Sequence, residues 1–152
     1  MEKLISIYER KGIIFIGANH RTTAGVWLDA GLYESVSVEH AKEKLGHLVS
    51  NSLGKSVIDI PHPSNFSSLT NALLLIAGVR SYKSFLNGAK LCTLGISDQI
   101  NIIPHKNGGY SGDSRGFTEI PNNVLILPIG ASESDISWNI LKALDSCLGS
   151  QI

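Results

Sequence analysis

The stretch that most restricts the fold spans residues 80–109, RSYKSFLNGAKLCTLGISDQINIIPHKNGG. Side chains alternate across a strand with a period of two. Cys92, Leu94 and Ile96 therefore share one face of a first strand, and Ile100 and Ile102 share one face of a second. Ser97-Asp98-Gln99 breaks the two apart, and Asp turns a chain well because its carboxylate bonds its own backbone two residues on. The spacing predicts an antiparallel hairpin, preceded by a short basic-aromatic helix over 80–87 that stops at Gly88. A glycine-rich segment, 106–117, follows it as a mobile loop or a wide hairpin connection.

The flanking segments read as a mixture of strands and helices. Residues 3–8 and the β-branched run 12–17 are strands, and 18–35 is a loop or irregular strand pair. Val38, Ala41, Leu45, Leu48, Val49 and Leu53 recur at three- and four-residue spacing, which predicts a helix over 37–54 capped by Ser37 and closed by Gly54. A short strand over 57–60 is stopped by Pro61, and 68–79 is apolar nearly all round, as in a buried helix. Strands over 117–120 and 124–127 precede a last helix opened by Ser132 and Asp135, with Ile136, Ile140, Leu141, Leu144 and Leu148 as its stripe. Hairpin-type strands mixed with helices favour an α+β fold, a single domain over 1–152 with an antiparallel-rich sheet and helices packed against it.

Charge and cysteine usage narrow the function. Thirteen cations balance thirteen carboxylates, seven of each in residues 1–79 and six of each in 80–152. A protein that grips phosphate backbones concentrates Lys and Arg, so direct nucleic-acid binding is not expected. Cys92 and Cys147 lie among apolar residues and read as buried free thiols of a reducing compartment. The N-terminus is interrupted by Glu9, Arg10 and Lys11 and does not read as a signal peptide; with no apolar run of ~20 residues, the expected location is the cytoplasm, away from membranes.

The search for chemistry returns no sharp motif. His40 and His47 stand seven apart on the first helix, about 10.5 Å by helical rise, too far to share a metal. Gly54-Lys55-Ser56 mimics the tail of a phosphate loop, but Val49 stands where its first glycine belongs and a strand, not a helix, is expected after it. The 108–112 run invites an anion only if a helix follows, and none is expected. No GxSxG elbow is present. Neither a cofactor nor a metal is expected, and a binding protein is the default. The alternative is a small hydrolase or nuclease using His62 or His105, which flank prolines in predicted loops, in acid–base roles. A scaffold with some unrelated obligate partner is a third reading.

The C-terminal half also carries a resemblance. Arg80-Ser81-Tyr82-Lys83-Ser84-Phe85, the apolar hairpin with Ile103-Pro104, and Gly116-Phe117 leading to Ile120-Pro121 resemble a pattern of immunity proteins of contact-dependent growth inhibition systems. Leu127-Pro128 and then Ala131-Ser132-Glu133-Ser134-Asp135 are similar to that family's ending. The likeness covers about the last seventy residues. It implies a cytoplasmic, non-enzymatic protein that binds the C-terminal toxin domain of a matching effector, commonly a nuclease acting on DNA or tRNA. In one branch that this sequence looks like, a toxin β-hairpin adds to the immunity protein's sheet. Nuclease domains tend to be basic, and acidic groups on an inhibitor speed encounter. Asp29, Glu34, Asp98, Asp113 and Glu119 lie in predicted loops or strand ends where a toxin could reach them, and Trp27, Tyr33 and Tyr110 are the expected aromatic anchors. Trp138 fits either core or surface.

Overall fold

A computed structural model describes residues 2–149. Strands β1 (Lys3–Arg10), β2 (Ile13–Arg21) and β3 (Trp27–Ser37) form a meander that runs into helix α1 (Val38–Lys55). Short helices α2 (Asn71–Ala77) and α3 (Tyr82–Leu86) lead to β4 (Lys90–Ile96) and β5 (Ile100–Asn107), the hairpin expected from the alternation. β6 (Phe117–Glu119), β7 (Leu125–Leu127), helix α4 (Glu133–Asp145) and β8 (Leu148–Gly149) complete an α+β fold. The sheet order is β3-β2-β1-β4-β5-β6, and β7 also pairs with β5. These neighbours are antiparallel, whereas β8 joins β5 in parallel.

The two faces of the sheet are covered unequally. On one, Ile5, Ile7, Ile14, Ile16, Cys92, Leu94, Ile100 and Ile102 meet α1 through Ala41, Leu45 and Val49, and α4 through Ile136, Ile140 and Leu144. The closest crossing of α1 and α4 is at Gly46, whose N–H donates to Ser137 Oγ at 2.7 Å and where a Cβ would run into Glu133. On the other face, Phe15 packs with Leu73, Phe85 and Ala89, ringed by Tyr8, Tyr33, Tyr82 and Phe117. Tyr8 stands edge-on to Phe85 and Phe117, at ring separations of 5.2 and 5.8 Å. The helices on that face, α2 and α3, are both short.

Several local expectations are corrected. Of the two readings of residues 18–35, the irregular strand pair holds and the loop does not. β2 and β3 pair through them, and the Thr22 hydroxyl organises the turn by accepting from the N–H groups of Ala24 and Val26. Gly54 does not close α1. The helix runs on to Lys55, and the Lys3 ammonium, fifty residues away, donates to the carbonyls of Leu53 and Ser56. A lysine on the neighbouring strand thus takes the role that a left-handed glycine would have had. Residues 57–60 make only a single bridge, Thr22 to Ile60, because Asp59 adopts φ +62° and breaks the strand. α2 is shorter than expected and not buried all round: Leu73 is enclosed, but Leu75 is 83% exposed. The short helix expected over 80–87 is present as α3, with its own cap, Ser81 accepting from Ser84 N–H. Leu148 leaves the α4 stripe for β8 and is exposed.

Candidate functional site

The sequence-derived residues fall into two groups and three isolated positions. Trp27, Asp29 and Tyr33 lie on β3, an end strand of the sheet. The Arg21 guanidinium lies 5.8 Å from the Trp27 ring centre. The register slips between Gly17 and Asn19, and the extra residues of β3 bulge at Gly31, which has φ +75°. Asp29 holds this bulge, accepting from Gly31 N–H at 2.6 Å and from Tyr33 O–H at 2.6 Å. Burial pushes the Asp29 carboxyl above its ordinary value, while those two hydrogen bonds oppose the rise. The Tyr33 ring lies across Gly17 and belongs to the aromatic cluster, so most of it is packed inward. Burial pushes its phenol up, as it does those of Tyr8 and Tyr82.

Tyr110 and Asp113 form the second group, on the glycine-rich segment, which is the connection of the β5–β6 hairpin. Asn107 builds the segment into the fold. Its Nδ2 donates to the carbonyls of Leu86 and Ala89, at 2.7 and 2.8 Å, and its Oδ1 accepts from Gly109 N–H at 2.9 Å. One buried amide therefore ties the end of α3 to the loop, with every donor and acceptor used inside the protein. Gly108 donates to the Gly116 carbonyl and Gly116 to the Gly109 carbonyl, both at 2.8 Å. Gly108 packs so closely on the Ser114 backbone that no Cβ would fit. Between α3 and this loop runs a groove of about 290 Å³ bordered by Lys83, Asn87 and Tyr110. A neighbouring hollow of about 450 Å³ reaches Tyr82 and Arg115.

Glu34, Asp98 and Glu119 stand apart. Glu34 pairs with Lys55 at 3.3 Å, Asp98 is exposed in the β4–β5 turn, and Glu119 is exposed on β6 opposite His105. The structure does not bring His62 and His105 together. His62 lies beside Thr22, with its Nδ1 3.0 Å from the hydroxyl. His105 is level with the Tyr8 and Phe15 end of the strands, so the two are roughly 20 Å apart by strand rise. His105 is 7% exposed, and burial lowers its imidazole below the ordinary value. Trp138 is 62% exposed on α4.

Sequence reasoning missed Lys83, Asn107 and Arg115. An Asn-Gly-Gly run after a strand was a visible turn signal, but nothing local foretold that Asn107 would bond two carbonyls eighteen and twenty-one residues away. Exposed Phe66 and Leu75, in a segment of 24 residues (56–79) with Asp59 as its one charged side chain, were also missed. No helix among the described residues is long and apolar enough to cross a membrane.

Comparison with known proteins adds the fold likeness. No family model matches the sequence, and no curated protein does. The chain is similar in structure to a protein of unknown function, NMB0488 from Neisseria meningitidis, with TM-score 0.73 and 13% identity over 97% of this chain and 96% of that one. It is likewise similar to a chain of the CdiA-CT/CdiI toxin and immunity complex from Yersinia pseudotuberculosis, with TM-score 0.75 and 15% identity over 97% of this chain and 98% of that one. At these identities the likeness is one of fold, and it extends over essentially the whole length of both chains.

Proposed function

We propose that this chain is an immunity protein. It binds the C-terminal toxin domain of a cognate contact-dependent growth inhibition effector and neutralises it one to one, without chemistry of its own. The observation that carries this reading is the end-to-end fold likeness to a chain of a toxin and immunity complex, at TM-score 0.75. It extends the sequence resemblance of the C-terminal half to the N-terminal half, where that resemblance was weak. The toxin on this reading is a nuclease acting on DNA or tRNA, met in the cytoplasm. Surface aromatics such as Tyr110 and Trp138, both more than half exposed, supply anchors of the kind that dominate protein interfaces. The outer edge of β3 offers backbone groups for strand addition on either side of the Gly31 bulge.

The test is a titration of the purified chain against the C-terminal domain of the effector encoded immediately upstream. Nuclease activity should fall linearly and vanish at one equivalent, and the two should co-elute. Undiminished nuclease activity at molar excess of the chain would sink the proposal, as would equal survival of cells with and without it when the effector is delivered.

A further inference from the structure

The zero net charge conceals a segregation along the chain. Residues 80–116 carry five cations (Arg80, Lys83, Lys90, Lys106 and Arg115) against two carboxylates, whereas 117–149 carry one cation against four. The fold then sets part of the basic stretch around one groove. Lys83 projects from α3 with its ammonium 5.9 Å from the centre of the Tyr110 ring. Arg115 borders the adjoining hollow, its Nη1 donating to the Gly112 carbonyl at 3.1 Å. Arg10 donates to the carbonyls of Ser84 and Asn87 at the end of α3. Among the described residues, none of the groove's cations, Lys83 and Arg115, stands within ion-pair distance of a carboxylate, unlike Lys55 with Glu34.

We infer that the groove between α3 and the glycine-rich loop receives an acidic segment of the partner protein, with its carboxylates set on Lys83 and Arg115. The inference rests on the immunity reading, in which that partner is the toxin domain. Charge complementarity selects the occupant: unpaired cations beside a half-apolar hollow match a carboxylate carried on a peptide. The groove is also preassembled. Asn107 and the Gly108–Gly116 backbone bonds fix the loop against α3, so little ordering is left to oppose binding. A nucleic-acid strand fits less well, because a phosphate backbone needs an extended run of cations and Asp113 interrupts this one.

Two measurements test it, both on the full chain. In the first, backbone amide shifts are followed while hexaglutamate or hexathymidylate is added. Hexaglutamate should move the amides of Lys83, Asn87, Tyr110 and Gly116, and Lys83→Glu should weaken that binding by roughly tenfold. Lys83 is exposed and takes part in no hydrogen bond to another element among the described residues, so this change leaves the fold intact. Shifts spread evenly over the surface, an unchanged response in Lys83→Glu, or tighter binding of hexathymidylate at the groove would each overturn the inference. In the second, affinity for the toxin domain should fall roughly tenfold in Lys83→Glu and stay level in the control Lys142→Glu on α4. Equal affinities in the two variants would overturn it. A wild-type chain that binds no toxin domain sinks the immunity reading, and the hexaglutamate titration then decides the groove alone.

Discussion

At Gly17 the absence of a side chain has a definite use: a Cβ there would overlap the Tyr33 ring. Because Asp29 anchors the Tyr33 hydroxyl at 2.6 Å, the ring is not free to swing away. Gly17→Ala should therefore cost about 1–3 kcal/mol, the usual range for overfilling a packed site. In a Tyr33→Ala background the same change should cost little, and a double-mutant cycle in urea reads the coupling. His105 sets a pH dependence. Burial lowers its folded value below the ordinary 6.5, while its bond to the Ile103 carbonyl and the nearby Glu119 oppose this. Below 6.5 the unfolded chain binds the proton more readily than the folded one, so stability falls with pH until the folded value is passed. Thermal melts from about pH 7 to about pH 5 should show that decline, and His105→Gln should flatten it.

Among the elements, the two long helices both begin after a serine but are capped differently. Ser132 accepts from Asp135 N–H at 3.1 Å, whereas Ser37 makes no side-chain bond to α1. Ser132→Ala should accordingly cost about 1 kcal/mol, and Ser37→Ala only a few tenths, as measured by the shift in the urea midpoint. The short helices are placed by other means: α3 by its own Ser81 cap and by Arg10 on its last carbonyls, α2 by Leu73 and the left-handed Gly78. The glycine-rich connection behaves as an element in its own right. Its position follows from Asn107, so Asn107→Ala should loosen it, seen as faster amide exchange at Gly108 and Gly116 with the main sheet unaffected.

For the whole molecule, charge is uneven by element rather than split by face: α1, beside α4, carries Glu39 and Glu43 against Lys42, Lys44 and Lys55. α4, on one face, bears Glu133, Asp135 and Asp145 against Lys142, while the groove cations stand with α3 on the other. Local charge on the groove steers an oppositely charged segment before contact, and salt screens the effect over about 8–10 Å. The aromatic anchors Tyr110 and Tyr33 divide by burial, although both stand on the α3 side of the sheet. On the immunity reading, Tyr110→Ala should weaken binding of the toxin domain by roughly tenfold or more without moving the melting temperature, since the ring is 57% exposed. Tyr33→Ala should instead lower stability, because its ring is part of the packed aromatic cluster.

Hydrophobic period determined α1, the β4–β5 hairpin and the α+β class, and period with the Ser132 cap determined α4. In each of these the core buries most of the apolar stripe that local sequence displays, Val38 and Leu148 excepted, so local and global preferences largely agree. Tertiary structure decided the rest, for a common reason: a contact distant in sequence supplied what a local rule would have assigned to a neighbour. Lys3 caps α1 where Gly54 was expected to, Gly17 makes room for Tyr33, and Asn107 turns a run of glycines into the wall of a groove. Which cations share that groove depends on α3 and a hairpin loop meeting across some thirty residues of chain, and hydrophobic periodicity carries no record of such a meeting.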